Sequence, residues 1–575
     1  MKIELRAVSI PMILIGILSL EACGPDPEDA ADLSAEREIA SNSPWFEERS
    51  GTSGVEFEWI SGQQGNYNLP EIIGGGVAMI DYDDDGDLDL YFVQGGRIAS
   101  TIDPGESNTA GDRLYRNDGD FNFTDITKES LPEAAVLGYG MCPAVGDYDN
   151  DGDADIYITN MGRNVLLRND NGRFSDVTEA AGVGDDGWGS AAAFIDIDLD
   201  GDLDLYSANY LEWSPETEIT CYASQGGEDY CAPTNYPAAS LDRLYLNMGD
   251  GRFKDISRDA GIHSNARTAL GISIADYDQN GFPDIFIAND GMPDTLWSNR
   301  GDMTFQDIAL KSGCSIDNDG QEKAGMGVGS MDMDDDGDMD ILVCNLGGES
   351  DSMFRNEGGY FIDTTARSGL KTLTSKQTRF GLGWLDFNND GHLDLYEAAG
   401  RVQRAGESDD DDPYAEINML LLGRPDGRLI PVKPEGGVDN QVRRTSRGAA
   451  FGDLDNDGRM DMVVINRDAP ANLYRNIHQH ADHWILIKAI DGHGRDAIGA
   501  RLTAKVGQRR MTRMIHPAGS YYASSDPRAH LGLGPLTQLE LLEVLWPDGS
   551  REYFGMLESN RIHTVRQGEG RPGAP

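Results

Sequence analysis

The sequence predicts an all-β chain: a seven-bladed β-propeller whose hairpin loops bind calcium, followed by a small C-terminal β-rich domain. Three observations predict it. A nine-residue pattern, Asp-x-[Asp/Asn]-x-[Asp/Asn]-Gly-x-x-Asp, occurs seven times, starting at Asp81, Asp147, Asp196, Asp276, Asp332, Asp386 and Asp453. Short β-branched or aromatic runs flank the copies, which makes each one the turn of a hairpin. A second pair of strand-like runs follows, and four strands repeated seven times make a propeller.

The elements follow in chain order. The chain has 575 residues, room for more than one core. Lys2 and Arg6 precede an apolar run over residues 8–20, too short to cross a bilayer but suited to an export signal, although Glu4 is atypical there. Leu20-Glu21-Ala22-Cys23-Gly24 resembles a bacterial lipobox. Residues 1–22 therefore read as a signal peptide and Cys23 as the lipidated first residue of the mature chain. Residues 23–44 read as the lipidated Cys and a flexible tether rich in Ala, Asp, Glu, Pro and Ser. Gly24, in place of an Asp, points to an outer membrane. The expected location is the bacterial cell envelope or its exterior, with membrane contact only through the lipid.

The propeller is expected over residues 45–477. Strands are read at Gly76-Val77-Ala78-Met79-Ile80 before the first loop and Leu90-Tyr91-Phe92-Val93 after it, with counterparts at later copies. The second motif is typified by Asp242-Arg243-Leu244-Tyr245-Leu246-Asn247 with Phe253-Lys254-Asp255-Ile256-Ser257. Repeat six lacks a clear copy of its last strand after Asn418, and repeat seven stops at Asn472-Leu473-Tyr474-Arg475-Asn476. Trp45-Phe46-Glu47-Glu48 looks like the piece missing from repeat seven, so the N-terminal strand is expected to close the ring.

The loops carry the chemistry. The candidate ligand positions are Asp81, Asp83, Asp85, Asp87 and Asp89 in loop one, and Asp147, Asp149, Asp151, Asp153 and Asp155 in loop two. Loop three offers Asp196, Asp198, Asp200, Asp202 and Asp204, and loop four Asp276, Asp278, Asn280, Phe282 and Asp284. Loop five offers Asp332, Asp334, Asp336, Asp338 and Asp340, and loop six Asp386, Asn388, Asp390, His392 and Asp394. Loop seven offers Asp453, Asp455, Asp457, Arg459 and Asp461. Of the 28 side chains at positions 1, 3, 5 and 9, 26 are Asp, with Asn280 and Asn388 the exceptions. Four carboxylates within nine residues repel one another unless a cation sits among them, and hard oxygen ligands suit Ca²⁺. Phe282 and Arg459 cannot coordinate through their side chains, so position 7 must offer its carbonyl. Gly at position 6 permits the sharp turn. An EF-hand is excluded: position 12 is Glu only at Glu397, and the flanks are strands. About seven structural Ca²⁺ ions are expected, one per loop.

With these residues in hand, the chain resembles the FG-GAP/VCBS propeller repeats of integrin α subunits and many exported bacterial proteins. More narrowly it looks like the cartilage acidic protein family and its bacterial homologues. Their C-terminal ASPIC/UnbV domain is matched by Arg495-Asp496-Ala497-Ile498-Gly499-Ala500-Arg501, Gly519-Ser520-Tyr521-Tyr522, His530-Leu531-Gly532-Leu533-Gly534 and Val544-Leu545-Trp546-Pro547-Asp548-Gly549. That domain is placed at residues 478–567, with a disordered tail over 568–575. The resemblance implies a calcium-binding extracellular protein without an agreed catalytic activity. The insertion over residues 209–242 also resembles a family feature.

Charge and motifs narrow the function. The formal net charge of -52 excludes nucleic acid as a partner. No nucleophile elbow, phosphate loop or zinc-protease motif occurs. Cys221 and Cys231, ten apart in a Gly-rich stretch, are the expected disulfide; Cys314 and Cys344 are a weaker candidate pair, and Cys142 is expected as a buried free thiol. His478, His480 and His483 read as a polar linker. Tyr210, Trp213, Tyr222, Tyr230 and Tyr236 cluster in the insertion, either as a ligand surface or as a satellite core. The expected function is that of a cell-envelope binding or adhesion module for a protein or glycan, not an enzyme. The alternative is a calcium-dependent polysaccharide lyase or glycosidase with its site at the propeller channel.

Overall fold

The computed structural model describes residues 43–98, 111–132, 138–224, 226–236, 239–404, 411–479 and 482–573. Cys23 and the expected signal peptide lie outside the described residues, as do most of the tether and His480.

Seven antiparallel sheets with four strands from each repeat occupy residues 46–476. Their first strands are Val77–Ile80, Gly140–Gly146, Gly189–Ile195, Ala269–Ala275, Val328–Met331, Arg379–Leu385 and Ser446–Gly452. Each leads through an aspartate loop into the second strand, and the third and fourth strands pair outward. Each first strand neighbours the first strand of the next repeat, and that of repeat seven neighbours that of repeat one.

The two-residue period of a strand explains why these first strands are buried on both faces. Ala191, Ala193 and Ile195 pack with Ile272 and Ile274 of repeat four. The alternate residues Ala192 and Phe194 pack with Ala144 and Tyr157 of repeat two. Each sheet thus supplies one half of two interfaces. At the centre, one buried cluster gathers Trp59, Met141, Tyr210, Leu270, Met326, Phe380 and Ile465 with Tyr521 and Tyr522 from the C-terminal region.

The fourth strand of repeat seven is Phe46–Glu48, paired antiparallel with Asn472–Asn476 so that Phe46 faces Asn476. Repeat six does have its last strand, Leu429–Pro431, opposite Met419–Gly423. Leu-Ile-Pro stands there where repeats one to five have Phe-x-Asp, so burial of Leu429 survives while the polar signature is lost.

The C-terminal region builds a three-stranded sheet (Ala529–Gly534, His483–Ile490, Arg561–Arg566) and a five-stranded one (Arg509–Met514, Arg501–Val506, Leu541–Leu545, Arg551–Phe554, Arg571–Pro572). Their shared core includes Ile485, Leu502, Leu531, Val544 and Trp546. Inside the stretch 568–575, expected as a disordered tail, Arg571–Pro572 pairs with Tyr553 and Glu552, and the Glu552 carboxylate accepts the Gly568 amide at 3.0 Å.

Candidate metal centres

Each aspartate loop is a tight turn with a repeated hydrogen-bond pattern. Its fourth residue is left-handed in all seven copies, Leu199 at φ 62° included, and so is the glycine at position 6. At Gly458 no side chain could fit: a Cβ would lie 1.7 Å from the Trp484 ring. The glycine amide donates to the position 1 carboxylate, at 2.9 Å in Gly152–Asp147 and 2.8 Å in Gly458–Asp453. The position 7 amide donates to position 5, at 2.9 Å in Asp202–Asp200 and 2.8 Å in Phe282–Asn280. The polar side chains are therefore held inward by the turn itself.

This folding brings the carboxylates together. Carboxylate oxygens of Asp81, Asp83 and Asp85 lie within 4.8 Å of one another, as do those of Asp147, Asp149 and Asp155, of Asp196, Asp198 and Asp204, and of Asp276, Asp278 and Asp284. One buried oxygen of Asp149 and one of Asp196 have no hydrogen-bond partner. Burial pushes the Asp89, Asp204, Asp284 and Asp340 carboxyls up to about 8, and neighbouring loop carboxylates add to the rise. Asp149 and Asp196 are raised to about 6, first by burial and then by their loop neighbours. Clustered, desolvated carboxylates with unpartnered oxygens are a donor set that fits a hard divalent cation.

The loops are not equivalent. Asn388 donates from Nδ2 to Asp390 at 3.1 Å, an amide in place of an anion. In loop seven Arg475 contacts Asp455 at 2.5 Å and Arg459 pairs with Asp457, so two ligand positions already face guanidinium groups. The position 7 side chains of Asp87, Asp153 and Asp338 accept bonds from Asn456, the Asn171 amide and the Gly358 amide, which leaves the backbone carbonyl as the expected donor at that position.

Position 9 has a further role that the loop motif does not reveal. One oxygen of Asp204 accepts the Ile197 amide at 2.9 Å and the other the Asn247 amide of the third strand at 2.7 Å. The Asn247 side chain then donates to Leu203 O in its own loop and to Tyr148 O in the preceding one. Asn117, Asn169, Asn356 and Asn476 do the same, and Asn117 reaches Leu454 O of repeat seven. The signal was present as the Asn that ends the third strand, in Leu-Tyr-x-Asn at Asn117, Asn247 and Asn476 and in Leu-Leu-Arg-Asn and Met-Phe-Arg-Asn at Asn169 and Asn356. In repeat six Gly423 occupies the place.

Basic side chains of the C-terminal region meet the loops. Arg495 donates to Asp147 O at 2.8 Å and Gly201 O at 2.7 Å, and Arg528 to Asp453 O at 2.9 Å and Asn456 at 2.7 Å. Arg509 donates to Gly391 O at 2.6 Å and pairs with Asp335, and Lys488 lies 3.5 Å from Asp81.

The insertion is stapled by the Cys221–Cys231 disulfide, whereas Cys142, Cys314 and Cys344 are buried free thiols. The weaker pairing of Cys314 with Cys344 is therefore corrected: Cys344 donates to Glu397, and Cys314 faces Ala309 O. Three of the five insertion aromatics are buried rather than presented: Tyr210 bonds Asp290, Tyr230 bonds Glu71 and Tyr236 bonds Glu218. Tyr222 is exposed, and Trp213 lines an open groove. Within the central cluster Tyr521 donates to Ile73 O at 2.9 Å.

The FG-GAP-like repeat family model matches residues 81–158, 147–207, 230–287, 276–343 and 332–397, together just over half of the chain. The chain belongs to the FG-GAP-like repeat family. Four of the five FG-GAP matches begin at the first Asp of a loop. The ASPIC and UnbV model matches residues 491–572. This FG-GAP chain is 24% identical to cartilage acidic protein 1 of Mus musculus over 505 residues, covering 82% of this chain and 70% of the relative. It is 25% identical to the Xenopus tropicalis protein of that name over 514 residues, with the same coverage. Among solved structures it is similar to PorZ, a surface component of the type-IX secretion system of Porphyromonas gingivalis (TM-score 0.42, 10% identity, 89% of this chain and 61% of that one). It is also similar to rhamnogalacturonan lyase YesW (TM-score 0.35, 14% identity, 71% and 73%). Similarity this low fixes no ligand.

Proposed function

We propose that the chain is an exported, calcium-stabilised seven-bladed propeller that serves as a binding or adhesion module of the cell envelope. The propeller spans residues 45–477, the C-terminal domain follows from 478, and lipidated Cys23 is the membrane anchor. The observation that carries the calcium reading is the convergence of three carboxylates in single loops with oxygens left unpartnered. Positions 1, 3, 5 and 9 and the position 7 carbonyl would hold the ion, which supplies positive charge that converts repulsion into cross-linking. Seven four-stranded sheets whose first strands neighbour one another in sequence support the propeller reading. The filled centre and the absence of a catalytic motif favour binding over turnover, and the stapled insertion supplies a surface on which a glycan or protein could dock. Equilibrium dialysis of the chelator-stripped chain against calcium tests this. Saturable uptake of several ions per chain is expected, and uptake of none contradicts the reading.

A further inference from the structure

We propose that the open groove beside repeats two and three binds a neutral glycan and rejects acidic ones; this rests on the reading of the chain as a binding module. The groove has a volume of about 990 Å³ and runs between the turns of repeat two and the insertion segment 211–217. Gly162, Gly182, Gly184 and Gly187 line it, so its floor carries little side-chain bulk and lets a ligand approach the backbone.

Its aromatic wall is rigid. Trp213 packs edge-on against Trp188, with ring centres 5.9 Å apart, and its Nε1–H donates to Glu218 at 2.8 Å. Glu218 also accepts from Tyr236, and the disulfide closes the same insertion behind it. A fixed indole plane is a low-entropy platform for the C–H face of a sugar ring. Two lining residues also hold unpartnered polar atoms: Nε1 of Trp188, 2% exposed, and Oδ1 of Asn209, 1% exposed. One is a donor and the other an acceptor, and both lie beneath the groove's accessible surface.

Charge selects the ligand. Asp185, Asp186, Glu212, Glu216 and Asp255 line the groove against one cation, Arg243, which is committed to Asp185 at 3.2 Å. Exposed carboxylates accept hydroxyl hydrogens well but repel uronates, sulfates and acidic peptides.

The test uses the full chain in calcium buffer, with titration calorimetry and tryptophan fluorescence against a soluble galactomannan, a soluble β-glucan and polygalacturonate. Saturable binding of at least one neutral polysaccharide and none of polygalacturonate is expected. Trp213→Ala should weaken that binding about tenfold or more. Because this indole also supports the insertion, the double change Glu212→Gln with Asp186→Asn provides a second reading and should weaken binding several-fold at an unchanged melting temperature. Binding of polygalacturonate, binding of neither neutral polymer, or affinity unaffected in both variants overturns the assignment. Calcium uptake by the same samples keeps these results separate from the fate of the calcium reading.

Discussion

Glu397 shows how far one side chain can depart from its repeat. The equivalent position carries Ser207, Ile287, Val343 or Val464 in other copies, yet here a carboxyl is fully buried between repeats five and six. Cys344 donates to its Oε1, while Arg379 pairs with Oδ1 of Asp351 at 2.6 Å. Glu397 Oε2 and Asp351 Oδ2 have no donor among the described residues. A proton carried by Glu397 and donated to Asp351 satisfies both oxygens and leaves one anion against one cation. Burial, and then the Asp351 charge, hold the Glu397 carboxyl well above its usual range. The folded chain therefore retains a proton that the unfolded chain releases near pH 4.3, and this group's contribution to stability is lost as pH rises, at up to about 1.4 kcal/mol per pH unit. Glu397→Gln, which keeps a donor, should gain on the parent in denaturant midpoint between pH 5 and pH 8. A difference that stays flat across that window would show that Glu397 is already ionised in the fold. Sequence reading met this residue only as the single Glu at loop position 12. Nothing local announces Asp351 and Arg379, because both arrive through sheet stacking.

At the scale of the element, the loop and the Asn clasp act together. Position 9 ties its hairpin to the third strand, and the Asn that ends that strand ties the loop to the preceding repeat. Asn247→Ala would leave Tyr148 O and Leu203 O buried without that donor and should cost about 2–3 kcal/mol. Chemical denaturation measures this; a loss below about 0.5 kcal/mol would place the seam's strength in apolar packing alone. Gly423 omits the clasp between repeats five and six, the same seam that holds the Glu397 cluster, so that seam is secured by a buried ionic group instead. The hairpins and their turns were legible because a two-residue strand period and a fixed glycine are local signals. The displaced strand Phe46–Glu48 was legible because it repeats a motif missing elsewhere. Leu429–Pro431 was not, since only its apolar residue remained. The arginines that meet the loops were also hidden, because each has at least one backbone carbonyl as partner, which has no sequence signature.

For the whole molecule, the described residues between 43 and 573 are organised around charge. Alternating strand faces build seven interfaces, side chains from every repeat fill the centre, and the C-terminal region brings Arg495, Arg509 and Arg528 against the loops. These arginines and the Asn clasps meet the loops largely through backbone carbonyls, so many inward carboxylates keep no counter-charge of their own, whereas Asp81, Asp455 and Asp457 face Lys488, Arg475 and Arg459. The sevenfold recurrence of the aspartate loop was readable from its spacing, and the family from the resemblance that the loop and C-terminal motifs carry. The groove beside repeats two and three was not, because it exists only once residues 162–188 and 209–217 are folded together. The measurement that bears most directly on the account is the melting temperature of the full chain in millimolar calcium and after chelation. Divalent ions distributed over the loops should make the chelated chain melt about 10 °C or more lower, with recovery when calcium is restored. Superimposable melting curves in the two conditions would contradict it.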